Sequence, residues 1–433
     1  MSARGRPVLV AALIALVCVF GRIEAETARG DAAVAPSAAR LAQGEYLVRV
    51  GGCITCHTAD PARPFAGGRP IATPFGDIHA PNITSDRATG IGAWTDAQFI
   101  RAMREGIGAN GERLYPAFPY TSYTRLTDGD LIAMRAYLST VPPVRASTPR
   151  NTLSFPFDQR WLMSLWNLVE FTPGRFVPDP AKSAEWNRGA YLVEGLAHCG
   201  ECHTPRNWLG ALTDDARLSG ATIAGWRAGN LTPERVAGIG AWRDDELLRL
   251  LSSGAAPGRA YASGPMAEVV SASTQYLTPA DARAIVVYLR SAKPIAVKDA
   301  RVPTSFGSPA RVDVTALDEP GKAAAAANGA QLYAAACASC HGMTGEGSAA
   351  FPSLVHDRVT GALGTMTTSN LVLVILHGVN RDTREAHALM PAFGAEFTDG
   401  QIAELGNYVT RQFGDARAKT DATSVARLRA IAQ

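Results

Sequence analysis

The chain has 433 residues, of which 47% are hydrophobic and 19% charged, a soluble globular balance with room for about three domains of ~150 residues each. Its formal net charge of +3 is too small over that length to point to nucleic acid or to a strongly acidic ligand.

The first 25 residues read as a secretory signal peptide. Arg4 and Arg6 form a basic start, an apolar run extends from Pro7 to Phe20, and Ile23-Glu24-Ala25 offers a cleavage point. The competing reading, a membrane anchor, needs about 18–20 apolar residues, and this run falls short. No later segment has a spanning length. The mature chain is therefore expected to be exported.

One of the seven cysteines, Cys18, leaves with that peptide. The other six form three pairs, each followed by histidine: Cys53-Ile-Thr-Cys56-His57, Cys199-Gly-Glu-Cys202-His203 and Cys337-Ala-Ser-Cys340-His341. None remains for a disulfide framework.

Each pair lies in its own repeat. The first two units are expected to align without a gap at an offset of 148. Asn82-Ile-Thr answers Asn230-Leu-Thr, and Gly90-Ile-Gly-Ala-Trp94 answers Gly238-Ile-Gly-Ala-Trp242. Upstream, Gly44-Glu-Tyr-Leu-Val48 matches Gly189-Ala-Tyr-Leu-Val193, and the third, more diverged unit opens with Gly329-Ala-Gln-Leu-Tyr333. All three close on a helical pattern. Thr127, Thr278 and Thr398 cap it, and Asp130, Asp281 or Gln401 at the third position would complete a capping box. Tyr137, Tyr288 and Tyr408 lie on its apolar stripe. Strand signals are sparse. The expected fold is all-α, three tandem cytochrome c-like domains at 34–148, 185–293 and 322–415. An aromatic and proline-rich connector at 149–184, a polar linker at 294–321 and a tail at 416–433 complete the chain. The connector reads as a packing strap, with a partner-docking surface as the alternative. The tail reads as a helix packed on its own domain, with an interfacial segment as the alternative.

The spacing C-x-x-C-H is that of c-type haem attachment. Two thiols three residues apart each form a thioether to one haem edge, and the next residue carries an imidazole beneath the ring. Cys53, Cys56, Cys199, Cys202, Cys337 and Cys340 are thus the candidate attachment residues for three covalent haems c, with His57, His203 and His341 as axial ligands. A zinc ribbon would combine the pairs into four-ligand sites, whereas each pair here brings its own histidine. A thioredoxin-like redox pair needs no trailing histidine.

A methionine thioether is a common sixth ligand. Met390, in Leu-Met-Pro, and Met266, in Gly-Pro-Met, each lie in a loop between the haem motif and the last helix. In the first unit the offset of 148 brings Phe118 opposite Met266, and phenylalanine cannot bind iron. Met103 and Met134 sit on helical apolar patterns and are expected in the core. His79 is the remaining candidate, so the first haem is expected to be five-coordinate, water-bound or unusually ligated. His198, His356, His377 and His387 have no repeated partner and are expected at the surface or against haem propionates. Asn82 and Asn230 fit a haem-pocket wall or plain packing equally.

On these residues the chain resembles the three-haem cytochrome c subunits of bacterial membrane-bound dehydrogenases, which serve alcohol, gluconate, sorbitol and fructose dehydrogenases and also molybdenum hydroxylases. Further marks of the resemblance are Gly90-Ile-Gly-Ala-Trp-Thr95, Phe155-Pro-Phe157, Pro173-Gly-Arg175, Glu185-Trp-Asn-Arg-Gly-Ala-Tyr191 and Cys202-His-Thr-Pro-Arg-Asn207. The resemblance implies an electron-transfer subunit at the periplasmic face of the cytoplasmic membrane, peripherally attached. Such a subunit takes electrons from a catalytic flavin, quinoprotein or molybdenum subunit and passes them to ubiquinone or a terminal oxidase. Phe118 departs from the methionine typical of the alcohol and gluconate type. The alternatives are a stand-alone periplasmic electron carrier and a peroxidase-like enzyme using an open first haem.

Overall fold

The structure, a computed structural model, describes residues 36–298, 307–310, 329–348, 351–355 and 368–431. The expected signal peptide, most of the 294–321 linker, the start of the third unit at 322–328 and His356 lie outside those residues.

Each unit is framed by two crossed helices, an entry helix before the Cys pair and a closing helix at its end. These are Ala38–Val50 and Asp128–Leu138 in the first unit, Ala184–Tyr191 and Pro279–Ser291 in the second, and Gly329–Ala336 and Asp399–Phe413 in the third. The crossing is set by glycine. A Cβ placed on Gly44 would lie 2.0 Å from the Ala133 carbonyl oxygen, one on Gly189 1.9 Å from that of Ala284, and one on Gly329 2.2 Å from that of Glu404. The same virtual atoms would meet the Cβ of Tyr137, Tyr288 and Tyr408. The repeated glycine and the repeated tyrosine are therefore two halves of one helix–helix contact.

Thr127, Thr278 and Thr398 cap the closing helices, accepting from the backbone N–H of Asp130, Asp281 and Gln401. The full capping box forms only in the third unit, where Gln401 accepts in return from the Thr398 N–H at 2.9 Å. In the first two units the shorter aspartate is engaged elsewhere. Asp130 accepts from Gln43 and Tyr191, and Asp281 from Arg188 and Tyr46.

The gap-free alignment is also corrected. The offset is 145 at Gly44 and Gly189, 146 at Cys53 and Cys199, 148 at Asn82 and Asn230, and 151 at Thr127 and Thr278. The first step is a π-helical turn at Leu192–Leu196, which inserts one residue between the entry helix and the Cys pair. The last step lies in the helix Gly264–Ala272, which has nine residues where the first unit has only the four of Tyr120–Tyr123.

Leu47, Val48, Leu131 and Leu138 of the first unit join Leu192, Leu196, Ile285 and Leu289 of the second in one continuous apolar core. Met103 and Met134 are buried in it, as expected. The third unit has a core of its own, built on Leu332, Leu373, Ile402, Val409 and Phe413. It meets the second through Trp226, which packs on that core, and through Asn370, which exchanges two hydrogen bonds with the Arg227 backbone. Four short antiparallel hairpins interrupt the helical framework among the described residues: Pro70–Thr73 with Gly76–His79, Ala221–Ile223 with Trp226–Ala228, Ala255–Ala256 with Ala260–Tyr261, and Val379–Asp382 with His387–Met390.

The connector divides its aromatic residues. Phe157 stacks on Phe75, Phe171 packs edge-on against Tyr120, and Phe176 packs against Tyr191. Its helix Leu162–Glu170 turns Met163 inward but leaves Leu165 54%, Leu168 82% and Val169 72% exposed, and Trp161, which precedes it, is 63% exposed. The packing strap therefore accounts for one face only. The tail forms the helix Ala422–Ile431, which buries Val425 in the third core and ties Arg429 to Asp399. Among the described residues no helix is long and apolar enough to cross a membrane.

Candidate functional site

Each Cys-x-x-Cys-His segment forms a single helical turn, at Cys53–His57, at Gly200–His203 after Cys199, and at Ala338–His341 after Cys337. None of these six cysteines is paired in a disulfide. Burial pushes Cys53 and Cys199 up to about 12 and Cys337 up to about 11. That direction is the opposite of the lowered thiolate that thioredoxin-like exchange uses. Among the described residues no three His, Cys, Asp or Glu side chains gather as a metal-binding group, so the pairs are not combined into zinc-ribbon sites.

The histidines are oriented alike. Nδ1 of His57 donates to the Pro81 carbonyl at 2.7 Å, that of His203 to the Gly229 carbonyl at 2.7 Å, and that of His341 to the Pro352 carbonyl at 2.9 Å. A carbonyl only accepts, so Nδ1 must carry the proton and Nε2 presents a bare lone pair. This is the arrangement that second-neighbour hydrogen bonds impose on metal-binding imidazoles. Burial also holds all three below the ordinary histidine range, against the opposing effect of the carbonyl bond, which keeps the rings neutral.

The three carbonyls are themselves fixed by local turns. The Asn82 side chain accepts from the Thr84 N–H at 2.9 Å, Asn230 from the Thr232 N–H at 2.8 Å, and Ser353 from the Val355 N–H at 3.1 Å. Asn82 is 2% exposed and also donates to the Val144 carbonyl, while Asn230 donates to that of Ile295. The residue before each turn supplies the carbonyl that holds the histidine. These turns do more than pack, since they position the histidines, and Pro81, Gly229 and Pro352 were not singled out in the sequence. The signal was the repeated Asn-x-Thr itself.

Met266 is half-buried in the first turn of Gly264–Ala272, and Met390 is half-buried at the end of the strand His387–Met390, paired with Val379. Phe118 packs against the shared core with its ring 5.6 Å from that of Tyr123. The register holds around it, since Leu114 bonds the Gly106 carbonyl as Ala262 bonds that of Gly254, both 148 residues apart. His79 lies two residues before Pro81, on the strand leading to the carbonyl behind His57. His377 and His387 are exposed. His198 is instead partly buried at the interface of the first two units.

Both of the first two Cys-x-x-Cys-His segments border that interface. The Cys202 thiol is pushed up first by burial and then by Glu201. Thr121 and Ser122 donate to Glu201, inside the second pair's motif, and Arg69 pairs with Glu268 on the Met266 helix. Arg69 also donates to the Thr55 carbonyl, so the segments bearing Phe118 and Met266 each lie close to the other unit's Cys-x-x-Cys-His turn.

Comparison with known proteins bears on these sites. Residues 41–142 match the family described as "Cytochrome c", and residues 324–409 match "Cytochrome C oxidase, cbb3-type, subunit III". The fructose dehydrogenase cytochrome subunit of Gluconobacter japonicus is 42% identical over 406 residues, covering 90% of this chain and 82% of that one. The chain belongs to the cytochrome c subunits of dehydrogenases. The gluconate 2-dehydrogenase cytochrome c subunit of Pantoea cypripedii is 37% identical over 411 residues, 90% of each chain. A nicotinate dehydrogenase subunit of Pseudomonas putida is 39% identical over 378 residues, 87% of this chain but 30% of that longer one. A cytochrome c subunit carries covalently bound haem c, and the paired cysteines on one turn with the bare Nε2 atoms described above fit that group. The second unit lies outside both family matches, yet its histidine geometry is the same as in the other two.

Proposed function

We propose that this cytochrome c subunit carries three haems c and conducts electrons from a catalytic dehydrogenase subunit to ubiquinone or a terminal oxidase at the periplasmic face of the cytoplasmic membrane. The observation that carries the reading is the threefold recurrence of a Cys pair beside a histidine whose Nδ1 is committed to a carbonyl. Cys53 and Cys56, Cys199 and Cys202, and Cys337 and Cys340 would hold the haems, with His57, His203 and His341 as the imidazole ligands. When bound, each haem supplies a one-electron iron couple. Met266 and Met390 would be the thioether ligands in the second and third units. Phe118 leaves the first without a thioether, and we do not assign His79 there because its strand leads behind His57.

A stand-alone carrier would have no use for the apolar face of Leu162–Glu170. Trp161, Leu165, Leu168 and Val169, together with Trp208 at 86% exposure, favour a subunit that docks on a partner. The test is purification from native membranes in mild detergent. The expected product carries three covalent haems per chain by intact mass, brings a flavin-, quinone- or molybdenum-bearing subunit, and is reduced when that subunit meets its substrate. A chain with two haems, or one that its co-purified partner cannot reduce, overturns the reading.

A further inference from the structure

The first two units are related by an approximate exchange of contacts, with one departure beside the Cys pairs. The residue just before the first cysteine is in the left-handed region in both, Gly52 at φ 62° and His198 at φ 38°. Glycine is the residue that this conformation favours. A Cβ on Gly52 would meet nothing closer than 4.0 Å, so space alone does not call for glycine there, and the strain at His198 is retained with a ring attached.

That ring makes specific contacts. Its Nε2 lies 3.3 Å from the Gly51 carbonyl, and the Tyr123 hydroxyl donates to the same oxygen at 3.3 Å. A carbonyl has two lone pairs and accepts both. The rings of Tyr123 and His198 meet edge to face at 5.5 Å, and Tyr123 touches Phe118 at 5.6 Å. A continuous series of packed rings therefore runs from Phe118, at the ligand position of the first unit, to His198, covalently next to Cys199 of the second. On the opposite side the place of this series is taken by small groups: the Ser273 hydroxyl donates to the Val50 carbonyl at 2.7 Å, beside Gly52.

We propose that Tyr123 and His198 couple the first and second haem sites, and that electrons cross the interface by this side rather than by the Gly52 and Ser273 side. The inference rests on the three-haem reading above. In the exchange one site is oxidised by one electron and the other reduced by one, with no bond made or broken and no proton moved. Tyr123 and His198 stay closed-shell. Their contribution is unbroken van der Waals and hydrogen-bonded contact, across which electronic coupling decays less than across a gap.

His198→Gly removes the ring and relieves the strained φ, while Tyr46 with Asp281 and Tyr191 with Asp130 still hold the interface. The full haem-loaded chain is reduced by a flash-generated flavin radical, and equilibration between the haems is followed spectroscopically. Haem content by mass and the melting temperature are measured alongside. The expected result is three haems, a melting temperature no lower than the parent, and loss of the fast phase between the first and second haems. Ser273→Ala keeps that phase. Equal rates in His198→Gly and the parent, or equal slowing in Ser273→Ala, overturn the proposal. If His198→Gly carries fewer than three haems, His198→Asn, whose side chain tolerates the left-handed region, takes the same test. A count below three in the unaltered chain fails the three-haem reading itself, before any rate is compared.

Discussion

The Tyr46 hydroxyl donates to a carboxylate oxygen of Asp281 at 2.6 Å, joining the first unit's entry helix to the second unit's closing helix. The reverse bond runs from Tyr191 to Asp130, so the two units grip each other through the same pair of residue types. Burial raises the Asp281 pKa, but the hydrogen bonds from Arg188 and Tyr46 outweigh it and hold the carboxyl below its ordinary range. A carboxyl lowered in the folded state adds stability that is present above its unfolded value and is lost as pH falls through the folded one. Tyr46 is raised, first by burial and then by Asp281, so its share is present below pH 10 and is lost as pH rises beyond that. The contribution of this pair to the urea midpoint should therefore be flat near neutrality, then fall below about pH 4 and above about pH 10. Asp281→Asn should flatten the acid limb, and an unchanged acid limb in that variant would place the linkage elsewhere.

Gly44, Gly189 and Gly329 look like ordinary helix glycines in the sequence, and such positions commonly gain about 0.5–1 kcal/mol on substitution by alanine. Here the added methyl would enter the backbone of the closing helix, at 2.0 Å or less for the first two. Gly44→Ala should thus destabilise the first two units by about 1–3 kcal/mol, the usual range for overpacking. Gly400, also helical, has nothing within 4 Å of the virtual Cβ, and Gly400→Ala should be neutral or stabilising. Denaturant unfolding of the two variants compares the signs directly.

Much of this was legible because it is written locally. The Cys-x-x-Cys-His turns, the threonine caps and the apolar stripes each depend on neighbours a few residues away. The sequence reading failed where a residue answers to another unit. Asp130 and Asp281 stand where a capping box needs them, but their partners Tyr191 and Tyr46 lie 61 and 235 residues distant. The π-turn at Leu192–Leu196 has no local signature, and only the shift in offset from 145 to 146 betrays it. The exposed face of Leu162–Glu170 has the composition of a buried strap, because apolar residues do not declare which side they turn to solvent.

Asn82 holds His57 at one remove. It fixes the turn whose preceding carbonyl, that of Pro81, holds Nδ1 of His57. Asn82→Ala leaves the Val144 carbonyl and the Thr84 N–H without these bonds in a buried setting, a loss of about 1–3 kcal/mol. A merely structural role would end there. The positioning role predicts that the electron paramagnetic resonance signal of the first haem alone shifts or broadens, whereas Asn230→Ala changes the second alone. Equal changes at all haems, or none, would show that the imidazole does not depend on this turn.

Phe118→Met restores to the first unit the residue type found at Met266, in a loop whose flanking register is preserved between Leu114 and Ala262. The Phe118 ring is half-buried against the shared core and beside Tyr123, so a flexible thioether of similar reach can occupy its place. Thioether ligation favours the ferrous state, so the first haem should become low-spin and its reduction potential should rise towards those of the other two. Redox titration followed spectroscopically reads both changes in one experiment. The unaltered chain should show one component apart from two similar ones, and the variant should show three alike. An unchanged first component in Phe118→Met would mean that another ligand already fills that side of the iron and that the phenylalanine is only a core residue.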